Sequence, residues 1–197
     1  NLNIVAVNMS WNTPTLFTDG NGSTVTQLAD GTYNASEITS AINVGDGQAK
    51  YYKIATDNDM ILVNSAGNTE YEHSGDPGIW ATEVDADGNL ILGGKMIIVG
   101  NWNGSSVAGN KAGHVCLDIN TSNNTCNDTN KISDFYILAP GMKVMGATTD
   151  NGHMVLEGTS QSAPHVTGAF GILHQMWPHM NGENLVQLVL QTANKDL

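Results

Sequence analysis

Four short apolar segments restrict the fold of this chain more than any other feature of its sequence. They are Ile4–Met9 (IVAVNM), Met60–Val63 (MILV), Met96–Gly100 (MIIVG) and Phe135–Ala139 (FYILA). Continuous apolar runs of this length, rich in β-branched residues, are typical of strands buried on both faces. A helical pattern at Ala49–Thr56 separates the first two and completes a strand–helix–strand unit. The sequence therefore predicts an α/β fold with a parallel sheet and helices on both faces.

Helical periodicity is clearest in the last third of the chain. After Ser160, apolar residues recur at helical spacing, and Pro164 falls in the first turn, where a missing N–H does little harm. The apolar positions are Ala163, Val166, Ala169, Phe170, Leu173, Met176 and Trp177. A last helix is predicted over Glu183–Ala193, and a short one is predicted around Ile38–Ile42. With no repeat and no linker, the chain is interpreted as a single domain or a large part of one.

Charge and hydropathy exclude some classes of function. The 197 residues carry 7 Lys and Arg against 19 Asp and Glu, which gives a net charge of −12. Phosphate binding needs basic patches, so we expect no nucleic-acid partner. No apolar run approaches the roughly 18–20 residues of a membrane span. An acidic surface suits a secreted protein or one exposed to calcium and salt, although it is equally explained by solubility alone.

The two cysteines, Cys116 and Cys126, enclose a polar stretch, CLDINTSNNTC. Two cysteines with no histidine at metal spacing cannot close a zinc site alone. A local disulfide is favoured, and it indicates an oxidising compartment and therefore a secreted or cell-surface protein. The alternative is a pair of free surface thiols.

Two polar motifs have the chemistry of a catalytic site. Ser160 lies at the predicted start of a helix, where unpaired N–H groups and the helix dipole can stabilise an oxyanion. The alternative is that Thr159 or Ser160 only caps the helix. Asn68, in NSAGN, follows a predicted parallel strand at its carboxyl end, where such sheets place functional loops. Its amide is suited to donate to an oxyanion, but the motif is also ordinary turn chemistry.

Several motifs, taken together, carry a resemblance to a known family. GTSQSAPHVTG resembles the serine box of the subtilisin-like serine proteases, and SAGN resembles their oxyanion-hole asparagine motif. VNMSW resembles their cleft-lining strand, and IVG, LAPG and the closing helix LVQLVLQTA follow in family order. The resemblance covers essentially the whole chain. The cysteine-pair loop looks most like the secreted and autotransporter-type bacterial members.

The resemblance implies a serine endopeptidase that acts on peptide or protein substrates through an acyl-enzyme. Ser160 would be the nucleophile, and its N–H with the Asn68 amide would form the oxyanion hole. His165 would be structural. The walls of the primary specificity pocket would be Ser10, Trp11 and Asn12 on one side and Ser65, Ala66 and Gly67 on the other.

The family's other two catalytic residues have no match in this chain. Its aspartate and histidine motifs both precede the strand that matches IVAVNMS, whereas all six histidines here follow Asn68. We therefore expect residues 1–197 to be the C-terminal portion of one peptidase domain, truncated on its N-terminal side. Its partner would be the missing N-terminal part, its strand at Ile4–Met9 would present an open edge, and the chain alone would fold poorly and be inactive or nearly so.

Three alternatives remain open at this stage. A non-catalytic pseudo-protease that acts as a binding or scaffold module would keep the fold without the triad. An esterase-type hydrolase is disfavoured because GTSQS lacks the last glycine of the G-x-S-x-G elbow. Calcium is possible at DADGN (Asp85–Asn89), which places oxygen ligands at alternating positions, but a polar turn is favoured and we assign no metal site.

Overall fold

The computed structural model describes all four apolar segments and most of the last third of the chain. The described residues are 4–11, 17–18, 24–25, 48–68, 78–82, 84–85, 87–104, 107–108, 119–120, 125–126 and 132–194. Three predictions involve residues outside these ranges. They concern the helix around Ile38–Ile42, the pocket-wall residue Asn12, and Cys116, so the disulfide stays a prediction.

The part of the chain that the structure describes contains eleven strands, three α-helices and two short 3₁₀ helices. The strands are β1 (Ala6–Met9), β2 (Phe17–Thr18), β3 (Thr24–Val25), β4 (Ile61–Ser65), β5 (Met96–Trp102), β6 (Val107–Ala108), β7 (Ile119–Asn120), β8 (Thr125–Cys126), β9 (Tyr136–Pro140), β10 (Val144–Ala147) and β11 (His153–Leu156). The α-helices are α1 (Gln48–Asp57), α2 (Thr159–Met176) and α3 (Gly182–Thr192). Short 3₁₀ helices occupy Gly78–Ala81 and Ile132–Phe135.

Four parallel strands form the central sheet, in the spatial order β1, β4, β5, β9. β6 pairs antiparallel with the end of β5. The register places Met9 opposite Asn64, and Ser65 opposite Val99. Each of the four apolar segments therefore forms a strand of this sheet, and the predicted parallel α/β fold is confirmed.

The core lies between this sheet and the helices. Every residue of β4 is buried, and β5 is buried from Met96 to Asn101, as expected for strands covered on both faces. α2 lies across all four parallel strands and buries Ala163, Val166 and Phe170 against them. α3 contributes Leu185 and Val186. The serine helix thus packs on strands that are among the most buried of the described structure.

The helix boundaries agree closely with the predicted ones. α2 is followed by Pro178, which cannot continue the α-helical hydrogen bonding. α3 begins after Asn181, whose side-chain oxygen accepts from Asn184 N at 2.8 Å and caps the helix.

The motif DADGN folds as a polar turn. Asp85 Oδ1 accepts the backbone N–H groups of Asn89 at 2.9 Å and Asp87 at 3.0 Å. The Asn89 bond, followed by weaker contributions from the same turn, lowers the pKa of the Asp85 carboxyl. The carboxylate is thus already used within the turn. Nowhere in the described ranges do three or more His, Cys, Asp or Glu side chains come together as a metal would require.

Beyond the core, the edge of the sheet at β1 and the hydropathy of the helices characterise the fold. Among the described strands β1 pairs only with β4, and Ile4 just before it is 49% exposed. In the part of the chain that the structure describes, no helix has the length and hydropathy to cross a membrane.

Candidate active site

The turn before α2 depends on two glycines. Gly158 has φ +136°, a conformation that side chains rarely adopt, and its N–H donates to Gly141 O at 2.9 Å. A Cβ on Gly141 would lie 2.2 Å from Ser162 Oγ and 2.5 Å from Gly158 O. The APG segment and the serine turn therefore fit together only because both positions lack a side chain.

Ser160 lies in the first turn of α2 and is half-buried. Its Oγ donates to Ser10 O at 3.3 Å, and Ser10 Oγ donates back to Ser160 O at 2.9 Å. This reciprocal pair joins the end of β1 to the start of α2, across 150 positions of sequence. The hydroxyl thus lies where unpaired N–H groups at a helix start can stabilise negative charge.

Asn68 is bound to the residue that precedes Ser160. Its Oδ1 accepts from Thr159 N at 2.8 Å and from Thr159 Oγ1 at 3.0 Å. Thr159 Oγ1 also accepts from Gly67 N at 3.1 Å. Because a backbone N–H can only donate, the amide oxygen must face Thr159, and the NH₂ group is the end left for another acceptor.

These contacts show that the capping interpretation of the serine motif is wrong. The N-cap of α2 is Gly158, and no side chain caps the helix. Thr159 is fully buried and bonds Asn68 instead, while Ser160 bonds Ser10. The two hydroxyls that sequence patterns assign to capping are used to assemble the site.

The two predicted walls of the specificity pocket differ in their exposure. Ser10 is half-buried and Trp11 is 39% exposed, so both are open to a ligand. Ser65 and Ala66 are 1% and 0% exposed, and Gly67 is buried. That side of the predicted pocket is therefore closed to solvent in the described structure, in both side chain and main chain.

No histidine among the described residues is hydrogen-bonded to Ser160 Oγ. His165 is exposed on α2, and its Nδ1 lies 2.8 Å from Gln161 O. His73 and His114 lie outside the described ranges.

Sequence reasoning missed three buried polar residues around the site. For Thr159 the sequence pattern indicates only a helix cap. Asn64 and Asn101 are 0% and 2% exposed, and the Oδ1 of each is buried without a partner in the described structure. The available signal was an asparagine within or directly after an apolar strand segment, in ILVNS and IIVGN.

At the carboxyl edge of the parallel sheet, the structure thus brings together a helix-terminal serine and an oriented asparagine, two side-chain types that nucleophilic catalysis by serine uses. The chain belongs to the subtilase family, whose family model matches residues 1–197. No curated protein matches the chain.

Solved structures share the fold. Patellamide maturation protease PatA is 19% identical with a TM-score of 0.58, and the match covers 97% of this chain and 54% of PatA. The match to the structure of the subtilase cytotoxin SubAB assembly has 15% identity and a TM-score of 0.56, and it covers 96% of this chain and 51% of that one. The match to sphericase has 19% identity and a TM-score of 0.55, and it covers 96% of this chain and 49% of sphericase. The chain therefore spans about half the length of these structures, and at such identities they show the fold alone.

Proposed function

We propose that this chain carries the nucleophile and the oxyanion hole of a serine endopeptidase that cleaves peptide bonds through an acyl-enzyme on Ser160. Membership of the subtilase family supports the reaction class. The observation that carries the proposal is the Asn68–Thr159 contact. It ties the asparagine loop to the residue before the serine, although 91 positions separate them in sequence.

In the proposed mechanism Ser160 Oγ attacks the carbonyl carbon of the scissile peptide bond. Negative charge develops on the carbonyl oxygen, and the Ser160 N–H with the Asn68 NH₂ group stabilises it. The hydrogen bonds that hold Asn68 Oδ1 orient that NH₂ group before substrate arrives, so little reorganisation is needed during the reaction.

The general base is proposed to come from outside this chain, because no described histidine is hydrogen-bonded to Ser160 Oγ. A histidine and its orienting carboxylate, supplied by the N-terminal part of the same domain, would take the Ser160 proton and later deliver it to the leaving amine. The chain alone would then be inactive or nearly so.

We also propose that the protein is extracellular, with Cys116 and Cys126 joined by a disulfide. The support is the acidic composition of the chain and the short polar stretch that separates the two cysteines. Peptide mapping of the protein isolated from its native source, without reductant, tests the pairing: a cross-linked peptide supports it, and alkylated free cysteines contradict it.

Peptide hydrolysis by the full-length protein tests the proposed activity. Ser160→Ala should reduce cleavage to background, whereas Ser162→Ala, a buried serine on the same helix, should keep it. Asn68→Ala should lower kcat by about 10²–10³-fold, a magnitude taken from subtilisin. A folded full-length protein that cleaves no peptide would instead favour the non-catalytic binding module.

A further inference from the structure

Asn64 occupies an unusual place in β4. It is 0% exposed, and its register partner is Met9, the last residue of β1. Its Nδ2 donates to Met9 O and to Trp11 O, each at 3.1 Å. The NH₂ group carries two N–H donors, so it can serve both carbonyl groups at once.

These two bonds replace a strand ladder that has ended. The pairing of β1 with β4 stops at Met9, and the chain then leaves the sheet. The Asn64 side chain extends the hydrogen bonding from Met9, the last paired residue, to Trp11, two residues further along the chain. An apolar residue would pack at a fully buried strand position without leaving an oxygen unpaired, as Asn64 Oδ1 is left within the described structure.

The residue between the two bonded carbonyl groups is Ser10. Its carbonyl oxygen accepts from Ser160 Oγ at 3.3 Å, and its own hydroxyl donates to Ser160 O at 2.9 Å. By fixing the main chain on both sides of Ser10, Asn64 fixes this segment relative to the nucleophile. Trp11, 39% exposed, is held by the same bonds.

We propose that Asn64 is a positioning residue for peptide recognition. It would hold Met9–Trp11 at the distance and angle at which that segment binds the acyl side of an extended peptide. The inference rests on the proposed function, in which Ser160 is the nucleophile and Ser10–Trp11 line the cleft. Its distinctive consequence is that losing the Asn64 NH₂ group impairs peptide recognition more than it impairs the reactivity of Ser160.

Two active-site probes on the full-length protein separate these effects. A small alkyl fluorophosphonate reacts with Ser160 without occupying the peptide cleft, and a peptidyl diphenyl phosphonate must bind along it. For Asn64→Ala we expect labelling by the small probe within about twofold of wild type. Labelling by the peptidyl probe should slow about tenfold, equal to about 1.4 kcal/mol, and KM for peptides should rise more than kcat falls.

Variants at the same position sharpen the test. Asn64→Asp places carboxylate oxygens against two carbonyl oxygens and should be worse than alanine with the peptidyl probe. Asn64→Thr keeps one hydroxyl donor and should give an intermediate rate, and it carries the test if the alanine variant does not fold. Thr56→Val is the matched control, because Thr56 is 2% exposed and lies on α1 with its hydroxyl bonded to Lys53 O at 3.2 Å.

Each outcome has a distinct meaning. Failure of the wild-type protein to react with the small probe overturns the proposed function itself. A reactive wild type with Asn64 variants that match it on both probes overturns the role of Asn64. Equal slowing on both probes, with Thr56→Val showing the same pattern, assigns Asn64 to general stability and also overturns the proposal.

Discussion

At the residue scale, Thr159 connects the two motifs of the site. It has no exposed surface, and its hydroxyl accepts from Gly67 N while donating to Asn68 Oδ1. The geometry of Asn68 therefore depends on a hydroxyl that has no direct part in the proposed chemistry. A buried donor that loses its partner costs about 1–3 kcal/mol.

Thr159→Val tests this dependence. Valine keeps the branched shape but leaves Gly67 N without its acceptor and removes one of the two bonds to Asn68. We expect kcat for peptide hydrolysis by the full-length protein to fall roughly tenfold or more, a barrier change of about 1.4 kcal/mol. Thr159→Ser retains the hydroxyl and should stay close to wild type. A valine variant with unchanged kcat would show that Asn68 is oriented by other contacts.

Tyr136 gives a prediction about pH. Its hydroxyl packs so closely on Gly100 that a Cβ there would lie 1.8 Å away, and burial raises the pKa of the phenol. A raised folded-state pKa contributes stability that is complete below the unfolded value of about 10 and is lost as pH rises above it.

The free energy of unfolding should therefore decrease between pH 9 and pH 11 in the wild-type protein. Tyr136→Phe should remove part of that decrease, whereas Tyr51→Phe, on a side chain that is 70% exposed, should keep the wild-type slope. Denaturant unfolding at several pH values measures it. Identical slopes in wild type and Tyr136→Phe would contradict the assignment to Tyr136.

At the scale of elements, one residue joins the end of α1 to the start of α3. Asp59 has φ +62°, and its Oδ1 accepts from Gly182 N at 3.0 Å and lies 3.1 Å from Lys95 Nζ. Lys95 Nζ also donates to Thr56 O at 2.9 Å. A left-handed backbone is tolerated by Asp and Asn better than by Ala, because their short polar side chains bond locally.

Asp59→Ala should lower the free energy of unfolding by about 1–3 kcal/mol, since it adds backbone strain and removes the acceptor of Gly182 N. Asp57→Ala, which removes only the exposed pair with Lys53, should cost about 0.3–0.5 kcal/mol. Equal effects of the two substitutions in thermal or denaturant unfolding would contradict a joining role for Asp59.

Elements with a strong burial signal were predictable. β4 and β5 contain the continuous apolar runs Ile61–Val63 and Met96–Val99 because both faces of each strand are covered, and α2 has a clear apolar stripe. The hairpin β10–β11 was not predicted, since Met145 and Val155 face each other yet are 70% and 60% exposed, which gives no polar–apolar alternation.

The site was predictable only as a set of motifs. The sequence could indicate Ser160 and Asn68, but not that Thr159 bonds both halves of the site or that Ser65 and Ala66 are buried. The long-range hydrogen bonds of Thr159 and Asn64 depend on strand register and on the seating of α2, which local patterns do not encode. The roles of Thr159 and Asn64 therefore become visible only in the three-dimensional structure.

At the scale of the whole molecule, the chain spans about half the length of the solved structures it resembles. Among the described strands β1 is one of the two outer strands of the parallel sheet, with β9 on the other side, and an open apolar edge favours pairing with another strand. The prediction that this edge needs a partner remains to be tested.

Sedimentation of the isolated chain measures it. We expect association or aggregation in the chain alone and a monomeric catalytic domain in the full-length protein. Rapid hydrogen exchange at the Ala6–Met9 amides of the isolated chain would accompany this. A stable, well-behaved monomer of residues 1–197 with protected amides in β1 would contradict the prediction.

The central claim, that Ser160 is a nucleophile, is tested most directly by covalent labelling of the full-length protein with a fluorophosphonate. Attack by Ser160 Oγ forms an O–P bond, breaks the P–F bond and releases fluoride, while the base takes the serine proton. Peptide mapping should place the adduct on Ser160, with labelling lost in Ser160→Ala and kept in Ser162→Ala. An intact, folded protein that stays unmodified, or that is modified at another residue, would contradict the claim.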